Sequence, residues 1–178
     1  MTTTQAPQPV EAPPAKPVKG QAGGMKQFIS FKIGEEGYAI DIMAVREIKG
    51  WTETTPLPNQ PGYILGVMNL RGIIVPVYDL RCRFGMGLTE ASRSHAIIIV
   101  AAQDRMAGLL VDAVSDILTI DSNLICPVPE VECGASADFL SGIIPVNDTM
   151  VVILALDELL ARGQGAPSSQ MNEVQQAA

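Results

Sequence analysis

The stretch VMNLRGIIVPVYDL, Val67 to Leu80, decides how this chain folds. Two short apolar runs, rich in Val and Ile, flank the polar step Asn69-Leu70-Arg71-Gly72. Runs of this length bounded by turn residues read as strands. The step between them reads as a turn, with Gly72 free to take a positive φ. The strands bury their side chains, and the turn holds the Arg71 guanidinium at the surface. The rest of the chain repeats this texture. FISFKI and YAIDI flank GEEG, a hairpin signal, and IIVPVY, HAIIIV, AGLLVDAV and MVVILAL are further short apolar runs. Helical periodicity is weak and confined to short pieces near Asp79–Phe84 and Asp157–Ala161. Many short strands with regular turns imply an all-β fold of small barrels or a sandwich.

Sliding the chain against itself by about 70–78 residues exposes an internal repeat. Ala44-Val45-Arg46-Glu47-Ile48 matches Ala113-Val114-Ser115-Asp116-Ile117, both A-V-x-acid-I. Pro56-Leu57-Pro58 matches Pro127-Val128-Pro129, and Tyr63–Val67 matches Phe139–Ile143. Val75–Asp79 is matched to Ile153–Asp157, each a strand ending in an aspartate. Four matches in one order point to a tandem duplication of about five strands per copy. Units that small are marginal alone. The expectation is therefore two back-to-back barrels, about 25–90 and about 91–162, sharing an apolar interface with a groove between them.

Bulk properties narrow the function. Residues 1–24 are proline-rich and 163–178 polar, and both read as disordered tails around a domain at 25–162. No apolar run reaches the ~18 residues of a membrane span, and no secretory signal opens the chain, so a cytoplasmic protein without membrane insertion is expected. The net charge is −7, which argues against a nucleic-acid partner. The charge is uneven: Met25–Glu90 carries seven basic and seven acidic residues, whereas Ala91–Arg162 carries three and ten. That asymmetry bears on partner choice, although solubility alone also accounts for it. Cys82, Cys126 and Cys133 form no CxxC, and with the lone His95 their spacing does not suit a zinc site. No nucleophile elbow and no phosphate-binding glycine loop is present. No cofactor, no metal and no enzymatic reaction are expected. A small-molecule or hydrolytic site between the barrels is the contrasting reading, and it would show as a polar pocket with perturbed carboxylates.

The ordered set YAIDI, AVREIKGW, PLP, YILGVMNLRGIIVPVYDLR and GLLVDAVSDIL closely resembles the CheW family of bacterial chemotaxis coupling proteins, from about Phe28 to Leu160. The resemblance implies two five-stranded SH3-like β-barrel subdomains around a shared apolar core. It implies a non-catalytic adaptor that binds the cytoplasmic tip of chemoreceptors and the regulatory domain of the CheA histidine kinase, recruited to receptor arrays at the inner face of the membrane. A paralogous kinase in a motility or development pathway is the alternative circuit. The receptor tip is a helical hairpin, so its contact would be helix-in-groove. The resemblance also implies a pair between Arg71 and Glu47 beside the receptor-binding surface, and places Val45 on the receptor-facing groove. Gly50 and Gly66 fall at substitution-sensitive positions, and Gly108 and Val114 where the second copy faces the groove. Val45 and Val114 also suit ordinary core positions, and backbone geometry would equally account for the glycines.

Overall fold

The computed structural model describes residues 24–129 and 137–161. The two tails and Cys133 lie outside them, as do Glu130 and Glu132. The strands are β1 (Met25–Ile33), β2 (Glu36–Asp41), β3 (Val45–Gly50), β4 (Ile64–Leu70), β5 (Ile73–Asp79), β6 (Ala96–Ala102), β7 (Arg105–Val111), β8 (Ala113–Asp121), β9 (Leu140–Val146) and β10 (Thr149–Leu154). The helices are α1 (Leu80–Arg83) and α2 (Leu156–Ala161), at the two short pieces the sequence marks. The fold is all-β with two five-stranded sheets, ordered β8-β1-β2-β10-β9 and β3-β6-β7-β5-β4.

The duplication is legible strand by strand. Each sheet has one parallel pair, β2 with β10 and β5 with β7, among antiparallel neighbours. Thr55 bridges Val67 as Cys126 bridges Ile143, so both prolyl segments lie along the outer edge of their sheet. Even the β-bulges repeat, between Val45 and Glu47 on β3 and opposite Val114–Ile117 on β8.

Two expectations need correction. The copies are contiguous in sequence, β1–β5 and β6–β10, but the barrels are not. Each sheet combines the opening hairpin of one copy with the last three strands of the other. The division near residue 90 therefore separates copies, not subdomains. The crossings fall at two links. Only Ile42–Ala44 separates β2 from β3, and only Asp112 separates β7 from β8. Neither link folds its strand back as a hairpin, so the chain bends through and continues into the other sheet. The second correction concerns the fourth sequence match. Gly66 pairs with Val77 as Gly142 pairs with Ile153, and the Asp79 N–H bonds to Tyr63 O as Ala155 N–H bonds to Phe139 O. Val75–Asp79 therefore corresponds to Val151–Ala155, two residues before the sequence pairing. A shared terminal aspartate had outweighed the strand register.

Asp79 consequently has no acidic counterpart. It is fully buried, caps α1 through Cys82 N–H, and accepts both the N–H and the hydroxyl of Thr89. These bonds satisfy the buried carboxylate and anchor the β5–β6 loop.

Strand exchange makes the core common to both sheets. The main cluster joins Ile29, Phe31, Ile33, Tyr38 and Ile40 of one sheet to Tyr78, Ile98, Val100, Leu109 and Val111 of the other, capped by Leu156, Leu159 and Leu160 of α2. Smaller clusters fill each barrel, around Val75, Val77, Ile97 and Ile99 and around Phe28, Ala39, Ile144 and Ile153. Arg83 sits at the join. Its guanidinium carbon lies 4.0 Å from the Tyr63 ring centre and 4.7 Å from that of Phe139. Those two aromatics occupy equivalent positions in the copies, so one cation clamps both halves.

The two sheet crossings differ in chemistry. At the β7–β8 crossing, Asp112 accepts from Gly34 N at 2.6 Å, pairs with Arg81 and lies 3.5 Å from His95 Nε2. Burial raises the Asp112 pKa, but the Gly34 N–H and the Arg81 guanidinium outweigh it, and His95 adds to them, so the net shift is downward. A lowered carboxylate contributes stability at neutral pH, and that contribution disappears as pH falls below the unfolded value of ~3.9 and through the folded one. Both side chains are partly exposed, so Asp112→Ala is expected to cost about 1.5–3 kcal/mol. Urea midpoints at pH 7 and pH 3 check this: the gap to the parent chain should be full at the first and shrink at the second.

Candidate docking site

The β4–β5 turn builds the most distinctive surface feature. Leu70 pairs with Ile73, leaving Arg71 and Gly72 as a two-residue loop. Both have positive φ, +53° and +89°, as a type I′ turn requires. Asn69 Oδ1 accepts the Gly72 N–H at 2.7 Å and closes the turn. Glycine is at home there; arginine is not.

Arg71 lies 3.1 Å from Glu47, with side chains 81% and 28% exposed. Glu47 stands on β3, the far edge of the sheet from β4. Five strands laid flat would separate those edges by about 19 Å. The contact therefore reports a sheet curled into a barrel, with the ion pair spanning its seam. So exposed a pair contributes only about 0.2–1 kcal/mol.

The sequence-derived positions separate into three groups. Glu47, Arg71 and Gly50 lie at the surface, on β3 and the turn facing it, and a Cβ on Gly50 would meet nothing within 4 Å. Val45 and Val114 are half-buried against the main core, at equivalent places at the start of β3 and β8. Gly66 and Gly108 are interior. A Cβ on Gly66 would lie 2.2 Å from Thr55 O, and one on Gly108 would lie 2.9 Å from Ile97 Cγ2. Backbone and packing geometry account for both.

Sequence reasoning missed the apolar residues around the pair. Ile48 on β3 and Ile73 and Ile74 beside the turn are exposed, Ile74 to 62%. Alternation on an edge strand could have flagged Ile48; the two at the turn become visible only once the I′ register is fixed. It also missed the groove at the β2–β3 crossing. Met43, Ala44, Ala101, Ala102, Leu154 and Leu156 line a cavity of about 380 Å³ there, flanked by Asp41 and Asp157. Its apolar walls are aliphatic, and the two carboxylates make its rim polar. The equivalent place at the other crossing is closed by Arg81, Asp112 and Gly34.

Ser92, His95 and Asp112 superficially suggest a nucleophile, base and orienting acid. Ser92 N–H, however, donates to His95 Nδ1 at 3.1 Å, and that same nitrogen lies 3.0 Å from Ser92 Oγ. The lone pair that would take the hydroxyl proton is already engaged, so the geometry ties a turn together. Among the described residues no group of His, Cys, Asp and Glu suits a metal ion. No described helix is long and apolar enough to cross a membrane.

Comparison with known proteins agrees with this architecture. The model of the CheW-like domain matches residues 27–164. A chemotaxis protein CheW from Rhizobium meliloti (strain 1021) is 40% identical over 79% of this chain and 91% of its own length. One from Klebsiella aerogenes is 35% identical over 76% and 82%. The crystal structure of the scaffolding protein TtCheW from Thermoanaerobacter tengcongensis superposes with a TM-score of 0.68 at 40% identity, covering 73% of this chain and 88% of that one. Paired, exchanged barrels and a family model spanning nearly all of them lead to one conclusion: the chain belongs to the CheW-like family of chemotaxis scaffold proteins.

Proposed function

We propose that this chain couples chemoreceptors to the CheA histidine kinase and places the kinase under receptor control. It would act in the cytoplasm, recruited to receptor arrays at the inner face of the membrane. The observation that carries the reading is the Arg71–Glu47 seam, a weakly stabilising ion pair held in the open beside exposed isoleucines. Exposed apolar side chains with a charged rim are what a protein partner buries. Val45, Glu47, Gly50 and Arg71 are assigned to that surface. The aliphatic groove beside Ala44 suits the apolar face of a receptor helix. Gly66, Gly108 and Val114 act by shaping the barrels. The role needs no reactive centre and no cofactor.

Reconstituting receptor fragments and CheA with and without this chain tests the proposal directly. Receptor control of phosphorylation should require the chain. Glu47→Lys sets two cations face to face at the seam and should lower recovery of receptor and kinase about tenfold in pull-downs while thermal unfolding stays within a few degrees. Full recovery with the lysine variant would remove the seam from the docking surface, and control without the chain would overturn the coupling role.

A further inference from the structure

The internal repeat exposes a hollow with a chemical signature. In the sheet that carries β1 and β2, Tyr38 stacks on Phe84 with ring centres 5.2 Å apart, and its hydroxyl donates to Glu36. The strand registers place Ala107 at the position equivalent to Tyr38, since Val100 pairs with Ala107 as Phe31 pairs with Tyr38. By the same registers Arg105 stands for Glu36, and Leu160 of α2 stands for Phe84 of α1. At these three places one copy has two rings and a carboxylate and the other a methyl, an isobutyl group and a guanidinium, while Tyr78 stands for Leu154 and Met106 for Gly37, so the bulk shifts to the facing wall and the space is reshaped.

What remains is a cavity of about 350 Å³ lined by Pro76, Tyr78, Arg105, Met106, Ala107 and Leu160. Its walls are apolar and its polar side-chain groups are donors. Arg105 is exposed at the start of β7, at the mouth of the cavity, and among the described residues neither its guanidinium nor the Tyr78 hydroxyl has a protein hydrogen-bond partner. Burial raises the Tyr78 pKa, so its hydroxyl remains a donor at neutral pH. The polarity is inverted relative to the other copy. Where Glu36 accepts from a phenol, Arg105 places a solvated cation at the mouth, able to pair with an acceptor of negative charge.

We propose that this cavity binds a small aromatic carboxylate, its ring occupying the volume left by Ala107 and Leu160 and its carboxylate paired with Arg105. The size fits a single ring, at the lower end of small-molecule pockets. The site lies apart from the Arg71–Glu47 seam and does not depend on the coupling role.

The test titrates the full chain with phenylacetate, following backbone amide shifts, with acetate and the neutral 2-phenylethanol as controls. Phenylacetate is expected to saturate at roughly millimolar affinity, with shifts concentrated at Met106, Ala107 and Leu160. The two controls should bind at least about tenfold more weakly, since each supplies only the charge or only the ring. Arg105→Gln should weaken phenylacetate about tenfold and leave 2-phenylethanol unchanged. Ala107→Tyr should abolish binding by rebuilding the ring found in the other copy. Leu160→Phe fills the cavity from the opposite wall and gives the same reading if the tyrosine variant does not fold. Unchanged phenylacetate affinity in Arg105→Gln, equal shifts with acetate, or the absence of saturable shifts overturns the proposal.

Discussion

Replacing Gly66 with alanine is expected to destabilise the protein by about 3–5 kcal/mol, a large fraction of the stability of a domain this size. Three facts combine. Gly66 has φ +137°, a region that side chains other than hydrogen rarely enter. The new Cβ would lie 2.2 Å from Thr55 O, 2.7 Å from Thr55 C and 3.0 Å from Pro56 Cα, all backbone atoms with no rotamer to change. Those atoms cannot withdraw, because Thr55 and Val67 exchange both backbone hydrogen bonds, at 2.8 and 2.9 Å. Relief would require unpairing the segment that closes the barrel edge. Urea unfolding of four alanine variants gives the comparison. Gly108 would press on the Cγ2 methyls of Ile97 at 2.9 Å and Val77 at 3.3 Å, and Gly142 on Ile125 Cγ2 at 2.7 Å and Cys126 O at 3.3 Å, longer contacts than the 2.2 Å at Gly66 and made mainly with side chains. About 1–2 kcal/mol is expected for each. Gly50 faces open space and should stay within about 0.5 kcal/mol. A Gly66 variant within 1 kcal/mol of the parent would contradict the steric account. If the order holds, lost coupling in a Gly66 variant reports a broken barrel, whereas lost coupling in a Gly50 variant reports a broken contact.

The same contrast explains what the sequence made legible. Strand existence followed from local signals: Val and Ile runs, the Gly34 turn between β1 and β2, and the Asn69–Gly72 step. The duplication followed because A-V-x-acid-I and aromatic-x-x-Gly survive as side-chain requirements in both copies. Partner choice between strands was not legible. AGLLVDAV reads as one apolar run, yet Asp112 divides it between two sheets, and nothing local distinguishes a strand that turns back from one that bends through. Arg83 was invisible for a related reason: its two aromatic partners lie 20 and 56 residues away along the chain and meet only after the copies exchange hairpins. The docking surface was half legible. Charge pairing between Arg71 and Glu47 came from the family resemblance, while the exposed isoleucines and the groove beside Ala44 needed the register.

Arg71→Asn should weaken docking to receptor and kinase about tenfold to a hundredfold while raising stability by about 0.5–1 kcal/mol. The two effects have opposite signs because they arise from different atoms. Arg71 holds φ +53° at the first loop position of an I′ turn, a conformation that disfavours ordinary L-residues by about 1–2 kcal/mol. Asparagine tolerates that conformation, and Asn-Gly is the preferred dipeptide for this loop. The substitution therefore relieves backbone strain and keeps Gly72 and the Asn69 cap unchanged. It forfeits only the ion pair with Glu47, about 0.2–1 kcal/mol at this exposure. The fold thus gains more than it loses. The docking surface, by contrast, loses the cation that pairs with Glu47 across the seam and leaves that carboxylate without it when a partner covers it, which is the costly case. The second copy already contains a version of this experiment: Asn147 occupies the place equivalent to Arg71, with φ +52°, and Asp116 stands for Glu47. Two measurements on one variant decide the matter, a urea midpoint and a receptor–kinase pull-down. A lower midpoint together with weak binding would mean that Arg71 serves the barrel. A higher midpoint with intact binding would mean that the arginine is incidental to docking. Only the divergent pair, firmer fold and poorer docking, is consistent with a strained residue retained for its guanidinium.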